Sequence, residues 1–128
     1  MADAVNAAPP GPPFGIAGPV VVHDLLARAD HPATDWEPLR PGVWAHWLYR
    51  WESGPSAALL RYEPGALMPR HRHAGTEQIL VLRGSQADEA GHYPAGSMAV
   101  HAAGSSHAVH SEEGCVVLAI WERPVVSA

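Results

Sequence analysis

GALMPRHRHAGTEQILVLRG, residues 65–84, sets two histidines, a turn and a carboxylate in front of an unbroken apolar run. Side chains two apart on an extended strand share a face, so His71 and His73 stand side by side. Ala74-Gly75 turns the chain, and Glu77 opens a strand that runs back past them. ILVL, residues 79–82, has the length and apolar, branched character of a buried strand. Two imidazoles beside a carboxylate form an incomplete metal-ligand set, and the remaining chain has to supply the fourth donor.

From Gly42 onward the chain repeats this texture of short runs set off by Gly, Pro and Ser. GVWAHWLYRW (42–51), SAALLRY (56–62), ALMPRHRH (66–73), TEQILVLRG (76–84), SMAV (97–100), HAVHS (107–111) and CVVLAIW (115–121) read as strands. Strands at this spacing with no helical period predict an all-β sandwich or barrel. No internal repeat is visible. Upstream, VVVHDLLARA (20–29) reads as a short strand entering a helical turn. Residues 1–19 hold five prolines among Gly and Ala and are expected to be a disordered or draped arm ahead of one domain over 20–128.

Composition excludes several function classes. The net charge is −5, and the eight basic residues, all Arg, are scattered. Neither nucleic acid nor an anionic membrane is therefore an expected partner. No segment has the roughly twenty apolar residues of a membrane span, and the N-terminus has no basic or continuous apolar leader. The default location is the cytoplasm. A lone Cys115 excludes an internal disulfide and a thiolate cluster. Nine histidines in 128 residues make imidazole the informative donor. Any bound metal would be held by nitrogen and oxygen.

His107 lies thirty residues beyond Glu77, on a strand that a closed sheet can bring opposite. His101 and His110 compete for the same role. On a regular strand His110 faces away from His107, and His101 stands where a turn begins; each reads more simply as a polar residue at the barrel mouth. Three imidazoles and a carboxylate suit Fe, Mn, Ni, Cu or Zn, with open positions if the ion is six-coordinate.

The spacing is also that of a family. Gly65, His71, His73, Glu77 and Gly84 reproduce the first cupin motif in full. Gly96, Gly104 and His107 reproduce the second, with Ala102 in place of its proline and Ser111 in place of its asparagine. Over residues 36–124 the chain resembles the cupin superfamily, in particular the group of ChrR-type anti-sigma cupin domains and acetylacetone and dihydroxyacetophenone dioxygenases. The resemblance implies a single-domain double-stranded β-helix, or jelly roll. It also implies one divalent transition metal ion on His71, His73, Glu77 and His107: Fe2+ for an oxygenase, with Zn2+, Ni2+ or Mn2+ as alternatives.

The activity implied is that of a mononuclear dioxygenase acting with O₂ on a small chelating molecule, a β-diketone or hydroxyaryl ketone. Glu77 would be the one catalytic ligand, loosening to accept a proton. The alternative is a non-catalytic metal sensor like the anti-sigma cupin domains, and a metal-dependent isomerase or sugar-modifying cupin is a third, weaker reading. Cupins of this size commonly pair as homodimers, with VVV (20–22) a candidate for strand exchange.

Other residues read more plainly. Trp44, Trp47, Tyr49, Trp51, Tyr62, Met68, Met98 and Trp121 are candidates for cavity wall or core. Alternation separates Trp47, Tyr49 and Trp51 from Trp44, His46 and Leu48 without saying which set faces inward. Arg61 and Arg83 are expected to pair with Glu63 and Glu52 on the outer surface, the alternative being a guanidinium that reaches into the cavity to hold a carboxylate or enolate oxygen. Asp88 and Glu89 read as a surface turn, with GSQADEAG (84–91) as that turn. Cys115 reads as a small buried hydrophobe.

Overall fold

Apolar runs punctuated by Gly and Pro close into one curled antiparallel sheet. The computed structural model describes residues 19–51 and 54–127. Its elements are α1 (Leu25–Asp30), β1 (Glu37–Arg40), β2 (Val43–Arg50), β3 (Ser56–Tyr62), β4 (Ala66–Arg72) and β5 (Glu77–Asp88). There follow β6 (Gly91–Pro94), β7 (Met98–His101), β8 (Ser106–Ser111), β9 (Cys115–Trp121) and β10 (Val126–Ser127). The strand order is β1-β2-β3-β9-β5-β8-β4-β10, with β6 and β7 both pairing with β5. This is a jelly roll.

The long β5 joins the two faces. Its first half, Glu77–Gly84, lies along β9, and Ser85–Asp88 pair with β6 while Ala87 meets His110 of β8. The passage between faces is at Gly84, whose φ is +72°. A Cβ there would fall 2.0 Å from the carbonyl oxygen of Gly114. Both the backbone conformation and the close approach require glycine.

β3 and β9 are apolar on both sides because both sides are covered. Inward, Ala58, Leu60, Val81, Val117 and Ala119 form the barrel core with Trp47, Met68 and Trp121 against it. Outward, Leu59 and Val116 are covered by Leu25, Leu26 and Ala29 of α1, with Trp36 alongside. Asp24 caps α1 by accepting from the Ala27 amide at 3.1 Å. Asp30 takes a two-point ion pair from Arg83 at 2.8 and 2.7 Å. That pair is exposed and adds little; burial of Leu59, fully shielded from solvent, contributes about 1.5–3 kcal/mol and is what holds the helix.

The strands expected at 56–62 and 115–121 have those bounds, and the others agree to within a few residues. Three short polar or proline-containing strands, β1, β6 and β10, were not expected. Residues 84–88 are strand and not turn: pairing with His92, Tyr93 and Pro94 extends β5, and the turn falls at Glu89–Ala90. Residues 20–22 form no strand, and Val20 and Val21 are exposed. The arm expected over 1–19 lies, except for Pro19, outside the described residues.

Arg83 pairs with Asp30, and Arg61 lies over the rings of Trp36 and Trp44, 4.7 and 5.7 Å from their centres. These partners replace the outer-surface carboxylates expected from sequence, of which Glu52 lies outside the described residues. A helix that docks through apolar contacts has no signature in the strand pattern, so its charged ends were invisible as partners.

Two glycines make the role of Gly84 testable. At Gly65 (φ +84°) a Cβ would meet nothing within 4 Å, so Gly65→Ala should cost about 1–2 kcal/mol for the backbone alone. Gly84→Ala adds a backbone clash and should cost roughly 3 kcal/mol or more. Chemical unfolding of both variants checks this: equal losses would show that the passage of β5 is not sterically fixed.

Candidate metal centre

β4, β5 and β8 bring the four predicted donors to one point. His71 and His107 face each other across the β4–β8 pair. His73 follows the end of β4, and Glu77 begins β5 after the Ala74-Gly75 turn. One donor atom from each of His71, His73, Glu77 and His107 lies within 4.8 Å of every other. His71 Nε2 and His107 Nε2 are 3.1 Å apart, and Glu77 Oε1 is 3.1 Å from His73 Nε2 and 3.7 Å from His107 Nε2. His73, Glu77 and His107 are buried; His71 is half-buried.

The far side of each ring fixes what the near side offers. His71 Nδ1 lies 2.9 Å from the Pro69 carbonyl oxygen. His73 Nδ1 lies 2.9 Å from Ser105 Oγ, whose own hydrogen is given to the Ala102 carbonyl at 2.6 Å. His107 Nδ1 lies 2.9 Å from Asp88 Oδ2. All three Nδ1 atoms therefore face acceptors to which they can donate, and each ring in its neutral form turns Nε2 inward, where those of His71 and His107 lie within hydrogen-bonding distance of each other. Consistently, His73 Nε2 is buried with no hydrogen-bond partner, its approach to Glu77 having the distance but not the geometry of one. Burial lowers the His73 pKa despite the raising effect of Glu77, which keeps the ring neutral.

Glu77 is held in the same way. Its Oε2 accepts from Trp121 Nε1 at 2.6 Å, leaving Oε1 toward the three imidazoles. Three nitrogen lone pairs and a carboxylate oxygen at one buried point repel one another unless a positive charge lies among them. The donor set, its tautomers and its outer hydrogen bonds fit a divalent transition ion.

Asp88 is a finding that sequence reading missed. It is no simple surface-turn residue: Oδ1 accepts from Tyr93 OH at 2.7 Å and from the Ala90 amide at 2.9 Å while Oδ2 holds His107. Burial alone would raise its pKa, but the bonds from His107, Tyr93 and Ala90 outweigh this and lower it. His101 is likewise not merely a residue of the mouth. Its ring stacks on His73 at 5.1 Å and 19°, and its Nε2 is 3.9 Å from Glu77 Oε1. It also packs on the His107 ring at 4.4 Å, and with Asp88 and His107 it forms a second group of donors close enough to share an ion; its own pKa is lowered chiefly by burial. His110 is exposed, as alternation predicts. Trp121 was expected as wall; its bond to Glu77 depends on the Glu77–Trp121 register of β5 and β9, which no local pattern reveals.

His71, Glu77 and His107 border a cavity of about 680 Å³. Its walls are mostly apolar, with Trp47, Leu60, Ile79, Val109 and Trp121 prominent, and Tyr62 and Gln86 add polar groups inside. Trp47 and Trp121 pack at 5.7 Å. Pro124–Ser127 border it as well, where β10 pairs with β4 so that Ser127 lies opposite His71. Of the two faces of β2, the one bearing Trp47 looks inward, and the one bearing Trp44 and His46 looks outward toward Trp36.

Comparison with known proteins agrees with this architecture. The chain is similar to an acetylacetone dioxygenase from Acinetobacter johnsonii, with TM-score 0.68 and 15% identity over 88% of this chain and 78% of that one. It is similar to the structure of Rhodobacter sphaeroides SigE in complex with the anti-sigma ChrR, with TM-score 0.64 and 25% identity, covering 83% and 70%. It is also similar to an RmlC-like cupin from Ralstonia eutropha JMP134, with TM-score 0.64 and 25% identity. That match covers 71% of this chain but only 64% of the Ralstonia protein. No curated protein matches the chain. Residues 26–125 match the ChrR cupin-like domain, and the chain belongs to that family.

Proposed function

We propose that this protein is a mononuclear metal-dependent oxygenase whose substrate is a small chelating molecule of the β-diketone or hydroxyaryl ketone class. The observation that carries the reading is the one-sided geometry: four donors converge from the sheet, and the opposite side opens into an apolar cavity. A structural site would be closed on all sides. His71, His73, Glu77 and His107 are the proposed ligands of one divalent ion, iron for oxygenation. When bound, such an ion supplies Lewis-acid stabilisation of an enolate and a meeting point for substrate and O₂.

The chain's own residues do the rest. Pro69, Ser105 and Asp88 hold the three rings in the ligating tautomer. Trp121 holds Glu77 by one oxygen. Glu77 is the carboxylate beside the cavity, and in this reading it takes the acidic proton of an entering diketone. The apolar walls exclude water and orient the substrate's chelating oxygens toward the donors.

The likeness to ChrR supports a second reading, a metal-binding sensor that acts through a protein partner. The two separate by experiment. Protein purified without oxygen and loaded with ferrous ion should consume O₂ with at least one member of a panel of diketones and phenolic ketones, and zinc-loaded protein should consume none. Tight zinc with no uptake for any member would favour the sensor.

Metal content tests the ligand set independently of turnover. His73→Ala should lose most bound metal, and His92→Ala, altering an exposed side chain of β6, should lose none. Asp88→Asn should weaken metal affinity about 10–100-fold, the usual effect of removing a ligand's outer carboxylate. Unchanged metal content in His73→Ala would refute the assignment.

The pH dependence has a definite sign. Burial lowers the pKa of His46 and of His73, so the unfolded chain takes up protons below about pH 6.5 that the native state resists. Chelator-treated protein should therefore lose stability as pH falls through that value. Protons also compete for the ligating imidazoles. The melting-temperature gap between metal-loaded and chelator-treated protein should accordingly close below about pH 5–6. A gap independent of pH would contradict this.

A further inference from the structure

We propose that Arg50 gives this cavity a preference for ligands bearing an anionic group, a carboxylate above all, on a flat apolar body beyond the chelating oxygens. The inference rests on the chelating site proposed above but not on oxygen chemistry. Regular alternation along β2 would turn Arg50 outward with Trp44 and His46. A register shift prevents this: Trp47 pairs with Ala58, Tyr49 with Ala57 and Arg50 with Ser56. Ala58 belongs to the inner core and Ser56 borders the cavity. Trp47 and Arg50 are thus successive inward side chains, and both border the cavity. Such a bulge re-aims a side chain, and bulges concentrate beside functional sites.

One wall then runs unbroken from the donors to the guanidinium. Glu77 is bonded to Trp121, Trp121 packs on Trp47 at 5.7 Å, and the Arg50 guanidinium carbon lies 4.2 Å from the Trp47 ring centre. A flat molecule chelated at one end would lie along the two indoles with its far end at Arg50. Among the described residues, the carboxylate nearest to Arg50 is Glu37 at 3.9 Å, beyond hydrogen-bond length. Glu37 Oε2 instead accepts from Trp47 Nε1 at 2.6 Å. The other arginine on the cavity, Arg70, is already paired with Glu89. Arg50 therefore borders a mostly apolar cavity with only the loose Glu37 ion pair and its stacking on Trp47 to hold it, and its planar fork of donors can take a carboxylate bidentately.

The test uses zinc-loaded protein, in which no redox step intervenes, and calorimetry with two probes. One is ortho-hydroxyacetophenone, and the other is its para-carboxylated counterpart. The carboxylated probe should bind at least about tenfold tighter, the scale of one charge-assisted hydrogen bond. Arg50→Gln should reduce that advantage to about twofold or less while zinc content and neutral-probe affinity stay unchanged, and Arg50→Lys should retain part of it. Equal binding in the wild type, an advantage undiminished in Arg50→Gln, or no binding of either probe would overturn the proposal. Oxygen uptake by iron-loaded protein without any carboxylate preference would sink this inference and leave the oxygenase reading standing. The preference without uptake would do the reverse.

Discussion

Three imidazole nitrogens and a carboxylate oxygen drawn to one point repel one another, and a positive charge among them relieves that repulsion. This repulsion is the constraint on which the rest of the molecule turns. Left alone, the site would have to take up a proton or relax. The protein has instead used hydrogen bonds from three separate elements to prevent relaxation: a carbonyl beside the ring on β4, a serine from the loop before β8, and an aspartate at the end of β5. The fold supplies a frame whose centre fits the divalent ion proposed for it.

The frame explains why a few spacings carry so much information. A histidine near the end of β4, a second two residues on and just past it, a two-residue turn and the first residue of β5 place three donors with no help from distant packing. Gly65 and Gly84 are fixed because the backbone takes a positive φ at each. The all-β class and the convergence of His71, His73, Glu77 and His107 were therefore legible in the chain. Asp88 and Trp121 were not. Each acts through a register between strands far apart in sequence, and neither has a local pattern that separates it from a turn residue or a core residue.

Long-range packing likewise hid the partners on the outer face. Arg61 and Arg83 sit in apolar strands, and both lie on the outer surface where pairing was expected, though with other partners. Their partners, the Trp36 and Trp44 rings and Asp30, became predictable only once α1 and the segment after it were known to lie over β3 and β9. Propensity says little about a six-residue helix, which is too short to be stable alone and owes its existence to the apolar surface beneath it.

The irregularity in β2 also bears on how such a protein could diverge. It sets one extra residue between Trp47 and Arg50, and a strand of the same length without the irregularity would alternate strictly and turn the guanidinium out to solvent. The donors, on other strands, would stay where they are. Substitutions that straighten this strand at unchanged length would thus exchange a charged rim for a neutral one without touching the donors. The barrel separates the part that must stay constant from the part that is free to vary.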